Sequence, residues 1–401
     1  MANLFSEILF DETKMRVMVE QYGSPLLLLD CAKLADQYQQ LKAALPNVGL
    51  YYAVKAFPHA AIVNTLNQLG AGFDIASTGE INLLRKQKVN PRNTIHTHPI
   101  KKDKDIRDAL RFGCSTFVVD NLVEIAKFRQ YAHRVGLLLR VAFRSPDCAV
   151  DLSKKFGCSP EEVPALLKEA KALGLHVKGL SFHVGSQSTS PSTHVAAIEA
   201  CTQLIREYEV PIRILDIGGG FPVDYDNGGD IDIEVFCAPI RAALKKLPDH
   251  VEVIAEPGRY LIAPAAAAVT TVVGKALRGD QPWYYLDDGV YGMFSGRIYD
   301  HARYPLHVFR TGEKKPSAVV GPTCDSIDVI EEALPLPELA VGDLVIGRMM
   351  GAYTAATAST SCSCSWGPTP RRCPPRPSPS SRSGTPRTTW RRRCRSPRAS
   401  P

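Results

Sequence analysis

The chain has 401 residues, 45% of them hydrophobic, enough for a large core and more than one domain. Its formal charge of +7 is lopsided: residues 361–401 carry ten arginines and no lysine, aspartate or glutamate, and removing those ten charges leaves residues 1–360 at −3. That mildly acidic body gives no reason to expect a nucleic-acid partner, and no apolar run is long enough to span a membrane.

The N-terminus lacks the basic and apolar regions of a signal peptide, and the body cysteines form no Cys-x-x-Cys pair. Both features predict a cytoplasmic protein with free thiols. Residues 1–30 hold a short helical pattern and then a strand-like run, Pro25-Leu-Leu-Leu-Leu-Asp30, expected to join a β domain further on.

From residue 31 the chain alternates. Strand-like runs at 49–56, 72–77, 94–98, 115–120, 137–143, 177–186, 213–218 and 251–256 are separated by helical apolar spacing at 59–69, 80–89, 104–112, 122–135, 160–173, 194–208 and 235–247. Thr78, Asp120-Asn121 and Ser159-Pro160 mark helix starts, and Gly70, Gly113, Gly136 and Gly174 mark stops. Eight strands alternating with helices predict an α/β fold, a (β/α)8 barrel over 31–263. Short strands then follow at 268–273, 283–286, 306–309, 318–320 and 343–347, predicting an all-β domain over 264–360.

Residues 361–401 change character within one or two positions to Ser, Arg and Pro. They read as a disordered tail, and the abruptness of the switch favours loss of the normal reading frame near Thr360 over an RNA-binding arm.

A barrel collects functional groups at the C-terminal ends of its strands. Those ends carry Lys55, Asp74, His96 with His98, Asp120, Arg140, His183 with Ser186, Gly218-Gly219-Gly220, and Glu256 with Arg259. Lys55 closes the apolar run Leu-Tyr-Tyr-Ala-Val-Lys-Ala. Taken alone it is a lysine snorkelling past a strand end; among these neighbours it is a nucleophilic amine, with a pKa lowered by desolvation.

The three glycines are either a tight turn or an anion cradle. Glu256-Pro-Gly-Arg259-Tyr holds either a structural ion pair, or a carboxylate for a pyridine nitrogen beside an arginine for a phosphate. His183 is a satisfied core residue or a ring stacker. Cys324, in Gly-Pro-Thr-Cys324-Asp325, is a small hydrophobe or a placed acid. His96-Thr-His98 resembles a metal pair, but no third ligand stands at useful spacing, so no metal is expected.

These motifs together resemble the ornithine/diaminopimelate/arginine decarboxylase family of fold-type III enzymes, which use pyridoxal 5′-phosphate. The likeness covers about residues 15–358. It rests on Tyr52-Ala-Val-Lys55-Ala, Gly72-Phe-Asp74-Ile-Ala-Ser, Phe182-His183-Val-Gly-Ser186, Asp216-Ile-Gly-Gly-Gly220-Phe-Pro, Glu256-Pro-Gly-Arg259-Tyr, Tyr299-Asp300-His, Gly321-Pro-Thr-Cys324-Asp325 and Gly351-Ala-Tyr353-Thr.

The resemblance implies that Lys55 carries the cofactor covalently, His183 stacks on its ring and Glu256 pairs with its nitrogen. It places Ser186, Gly218, Gly219, Gly220, Arg259 and Tyr353 on the phosphate, and Asp74, Arg140 and Glu80 around the site. It makes Cys324, from the partner of a head-to-tail homodimer, the proton donor, and Asp300 and Asp325 the receivers of the substrate's distal ammonium. Cys324-Asp325, in place of the Cys-Glu-Ser of diaminopimelate enzymes, implies ornithine as substrate and putrescine as product, with lysine as the alternative. A racemase-like enzyme would place arginine where Glu256 stands, and a non-catalytic homologue would not need Lys55, Glu256 and Cys324. The family's further β structure is replaced here by the tail, which bears on dimer formation.

Overall fold

The structure, a computed structural model, describes residues 4–208, 212–225 and 231–358. The Arg/Pro/Ser tail lies outside the described residues. Helices Leu4–Leu9 and Glu12–Tyr22 lead to strand β1 (Leu26–Leu29).

The barrel follows in chain order. Its parallel strands are β2 (Val48–Ala53), β3 (Gly72–Ile75), β4 (Thr94–His96), β5 (Thr116–Val119) and β6 (Gly136–Val141). After a short excursion, β7 (Cys148–Val150), comes β8 (His176–Phe182). After a second, β9 (Ser186–Ser188), come β10 (Ile214–Asp216) and β11 (Glu252–Ala255), and β11 pairs back with β2 to close eight strands. Each overlaps one of the eight expected runs. These strands are apolar on both faces, as the walls of a helix-wrapped barrel must be.

The run at 177–186 is not one strand. β8 stops at Phe182, Gly185 turns at φ +97°, and β9 pairs antiparallel with β7 as a separate ribbon beside the mouth. Between β1 and the barrel stands a helix absent from the sequence reading, Cys31–Ala44. Asp30 caps it, accepting from Ala32 N–H at 2.8 Å and Lys33 N–H at 3.0 Å. Polar side chains hide its apolar period: the buried Gln37 donates to the Tyr260 carbonyl at 3.0 Å, and Lys42 to Val48 at 2.6 Å.

After the barrel, the long strand β12 (Ala266–Arg278) is the spine of a mostly antiparallel sheet. It pairs with β1 and β13 (Gln281–Leu286) and, past β14 (Leu306–Val308), β15 (Lys315–Val320) and β16 (Val329–Leu336), with β17 (Leu344–Gly347). β16 was not expected, since it contains two glutamates and Pro335. It is an edge strand, the place in a sheet where proline is tolerated.

Candidate active site

Lys55 does not lie in β2. It sits on the single 3-10 turn that follows, Val54–Ala56, and the turn is tied to the last barrel strand's loop by Ala53 N–H donating to the Pro257 carbonyl at 3.1 Å. The Lys55 side chain is 38% exposed, and its Nζ lies 2.7 Å from Oδ2 of Asp74, which is fully buried at the end of β3. Thr97 donates to the other Asp74 oxygen.

Burial opposes the ammonium, but the charges of Asp74 and Glu256 outweigh it and raise the Lys55 pKa. The desolvated, low-pKa amine expected from the sequence is therefore replaced by an ammonium held in an ion pair. A ligand must disturb this pair before the amine becomes a nucleophile.

Glu256, just past β11, and Asp216, the last residue of β10, lie side by side in the barrel and share a side-chain hydrogen bond. Burial and their mutual repulsion raise the Glu256 pKa well above the carboxylate range, and burial pushes Asp216 up to about 6. Both carboxyls are thus biased toward their protonated forms. Asp216 also accepts from Ser181 Oγ at 3.2 Å and Gly218 N–H at 2.9 Å, so it anchors the glycine turn. The sequence reading gave it no role, although a carboxylate inside an apolar barrel strand was itself a signal.

A raised carboxyl pKa means that the fold holds protons which the unfolded chain would release, so stability falls as pH climbs from about 4 to about 6. Asp216→Asn is expected to remove that loss. Relative to the parent, the cofactor-free variant should gain on the order of 2–3 kcal/mol between acid and neutral pH in urea unfolding. A difference that does not change with pH would contradict the raised Asp216 pKa.

His183 follows β8. Its Nδ1 accepts from Gly185 N–H at 3.0 Å, which leaves the proton on Nε2. Burial, then the charges of Arg140 and Lys55, hold its pKa well below the usual imidazole value, so the ring is neutral. The glycine turn packs beside it: a Cβ on Gly219 would meet the Glu256 carbonyl at 2.8 Å and His183 Nε2 at 3.1 Å. Gly218 and Gly220 have φ of +66° and +97°, and a Cβ on Gly218 would lie 2.2 Å from the Phe182 carbonyl.

Arg259 is buried nearby. It donates to Ser186 Oγ, Tyr225 Oη and Asp300 Oδ2, each at 2.8 Å, and its guanidinium carbon lies 5.0 Å from the Tyr353 ring centre. Asp300, expected to receive a substrate cation, thus stands as an anion on the arginine expected to hold a phosphate.

A cavity of about 280 Å³ is lined by Lys55, His98, Arg140, Phe156, His183, Ser186, Gly219, Gly220, Glu256, Arg259, Asp300 and Tyr353. Asp74, hydrogen-bonded to Lys55, and Gly218 do not line it. Glu80 does not reach it: its carboxylate accepts from Ala76 and Ser77 N–H, closing a capping box on helix Thr78–Lys86. His96 points the other way, stacked on Phe117 at 5.7 Å between barrel and helices. His96 and His98, both expected at the mouth, are parted there: β4 ends at His96, and His98 lies beyond it in the following loop, where it lines the cavity.

Cys324 and Asp325 also lie outside this cavity. They sit in the exposed 321–328 loop, which is tied down by Asp328 accepting from Thr323 N–H at 3.0 Å, Thr323 Oγ1 at 2.6 Å and Val290 N–H at 2.8 Å. Tyr291 donates to Asp325.

A flat, phosphate-bearing pyridine aldehyde would find here an amine for its carbonyl, a carboxyl pair for its nitrogen, and a glycine–arginine corner for its phosphate. The residues present fit that group, and a barrel so equipped is of the pyridoxal-enzyme class known as fold-type III.

The comparisons agree. The family model for the pyridoxal-dependent decarboxylase, pyridoxal binding domain, matches residues 31–263. A lysine/ornithine decarboxylase of Selenomonas ruminantium is 39% identical over 351 residues, 87% of this chain and 89% of that protein. An ornithine decarboxylase of Mus musculus is 36% identical over 359 residues, 82% of this chain and 77% of that protein. A solved lysine/ornithine decarboxylase of Vibrio vulnificus, complexed with cadaverine, superposes with a TM-score of 0.82 at 53% identity, covering 86% of this chain and 93% of that one. The chain belongs to the pyridoxal-dependent decarboxylase family of fold-type III, and its cofactor is pyridoxal 5′-phosphate.

Proposed function

We propose that this chain removes the α-carboxyl group of L-ornithine, releasing putrescine, and accepts L-lysine, one methylene longer, releasing cadaverine. The observation that carries this reading is Asp300, a carboxylate in the same cavity as Lys55 and Glu256, which suits a substrate with a bare cation at its far end. The relatives bear on it as well: the Vibrio vulnificus enzyme was solved with putrescine and with cadaverine.

The bound cofactor supplies an electron sink for the electron pair left when carbon dioxide departs. Lys55 is the residue that carries it, with Asp74 holding the amine in place. Ser186, Gly218–Gly220, Arg259 and Tyr353 take the phosphate, relieving Asp300 of its arginine partner and freeing it for the substrate ammonium. His183, neutral, offers an uncharged face for stacking. Glu256, backed by Asp216, keeps a proton at the pyridine nitrogen, and Arg140 borders the site. Cys324 of the partner subunit delivers a proton to the reacting carbon, and Asp325 of the partner subunit joins Asp300 at the distal ammonium. That the single-chain cavity lacks both supports a site completed by a second copy.

The test is the amine released from ornithine, lysine, diaminopimelate and arginine by the purified holoenzyme. Ornithine and lysine should differ in kcat/KM by no more than about 10- to 200-fold, the discrimination one methylene allows. Diaminopimelate and arginine should be turned over far more slowly. Agmatine from arginine, or lysine from diaminopimelate, as the fastest product would overturn the reading.

A further inference from the structure

His194 is fully buried in the first turn of helix Ser192–Glu207, and the roles above leave it unused. Its ring packs against Phe221 at 5.4 Å, Phe236 at 6.1 Å and Phe182 at 6.4 Å. Its Nε2 lies 3.1 Å from the carbonyl oxygen of Gly219, the middle glycine of the turn, while its Nδ1 is buried without a hydrogen-bond partner. A carbonyl only accepts, so the proton is on Nε2 and Nδ1 presents an orphaned lone pair to an aromatic wall. Burial holds the ring neutral, its pKa pushed down to about 4. Phenylalanine would fill such a space with no orphaned nitrogen. What imidazole adds is the bond to Gly219.

That bond fixes a peptide plane. The Gly219–Gly220 peptide is planar and trans, so a carbonyl held toward the helix turns the Gly220 N–H the opposite way, toward the cavity that both glycines line. The next carbonyl is also tied down, since Gly220 accepts from Ser188 N–H at 2.9 Å. Both carbonyls of the turn face protein, leaving the intervening N–H for an anion.

We propose that His194 is a positioning residue for cofactor binding, fixing the Gly219–Gly220 peptide from behind so that its N–H meets the phosphate. The inference rests on the reading of Gly218–Gly220 as the phosphate cradle.

The full-length protein, stripped of cofactor, is titrated with pyridoxal 5′-phosphate and with pyridoxal, which lacks the phosphate. His194→Phe should weaken pyridoxal 5′-phosphate about 5- to 10-fold, the effect of one hydrogen bond, and leave pyridoxal within about twofold. His194→Gln, which keeps a donor, should restore most of the loss. If the phenylalanine variant does not fold, His194→Met is compared with His194→Gln in the same way. Equal weakening of both ligands, or of neither, overturns the inference. A parent protein that binds the two ligands equally would instead sink the cradle reading itself.

Discussion

Replacing Lys55 by alanine is expected to lower decarboxylation by on the order of 10³-fold or more, as loss of a covalent catalytic group does. It should also abolish the borohydride-stable link between protein and cofactor, read by intact mass. The substitution further strands Asp74, which is fully buried and keeps only Thr97 for company. An unpaired buried carboxylate costs stability, so Lys55→Ala should also melt earlier. Lys55→Arg separates the two effects: it restores a cation for Asp74 but no usable amine, so stability should recover and activity should not. A full-yield adduct in either variant would remove Lys55 from its assigned role.

Cys324→Ala is expected to act differently. Cys324 lies outside the cavity of its own chain, so its loss should leave cofactor binding within about twofold of the parent. Proton delivery to the reacting carbon should suffer instead, by roughly 10²–10⁴-fold for a general acid. Carbon dioxide should then outrun amine, with the cofactor converted to its amine form as protons arrive at the wrong carbon and an aldehyde is released. The check is the ratio of putrescine to carbon dioxide, and a ratio unchanged from the parent would contradict the acid role. Asp328→Ala, which unties the 321–328 loop while retaining the thiol, should shift that ratio in the same direction.

The barrel was legible because its strands are continuous apolar runs bounded by glycine, and because lysine, histidine and glutamate are conspicuous at the ends of such runs. Other elements were not. Helix Cys31–Ala44 turns Gln37 and Lys42 inward to backbone carbonyls, which breaks its apolar period. β7 is a three-residue excursion, and β16 carries charges and a proline because it is an edge.

At the site, residue types were readable and pairings were not. That Asp216 meets Glu256 depends on β10 and β11 being neighbours. That Asp300 sits on Arg259 depends on the β domain meeting the barrel mouth. His96 was misplaced because β4 ends with it: its ring packs on Phe117, and only His98, in the loop beyond, reaches the cavity. The low pKa expected of Lys55 failed because burial was weighed without the two carboxylates that accompany it.

The proposed decarboxylase site is built from two copies, with Lys55 of one and Cys324 of its partner acting on the same amino acid. Mixing purified Lys55→Ala and Cys324→Ala proteins tests this most directly. Each alone should be nearly inactive. After subunit exchange, half the dimers would carry one intact site, and putrescine formation should return to about a quarter of the parent rate. A mixture no more active than its components, after exchange has been verified by mass, would contradict a site shared between chains.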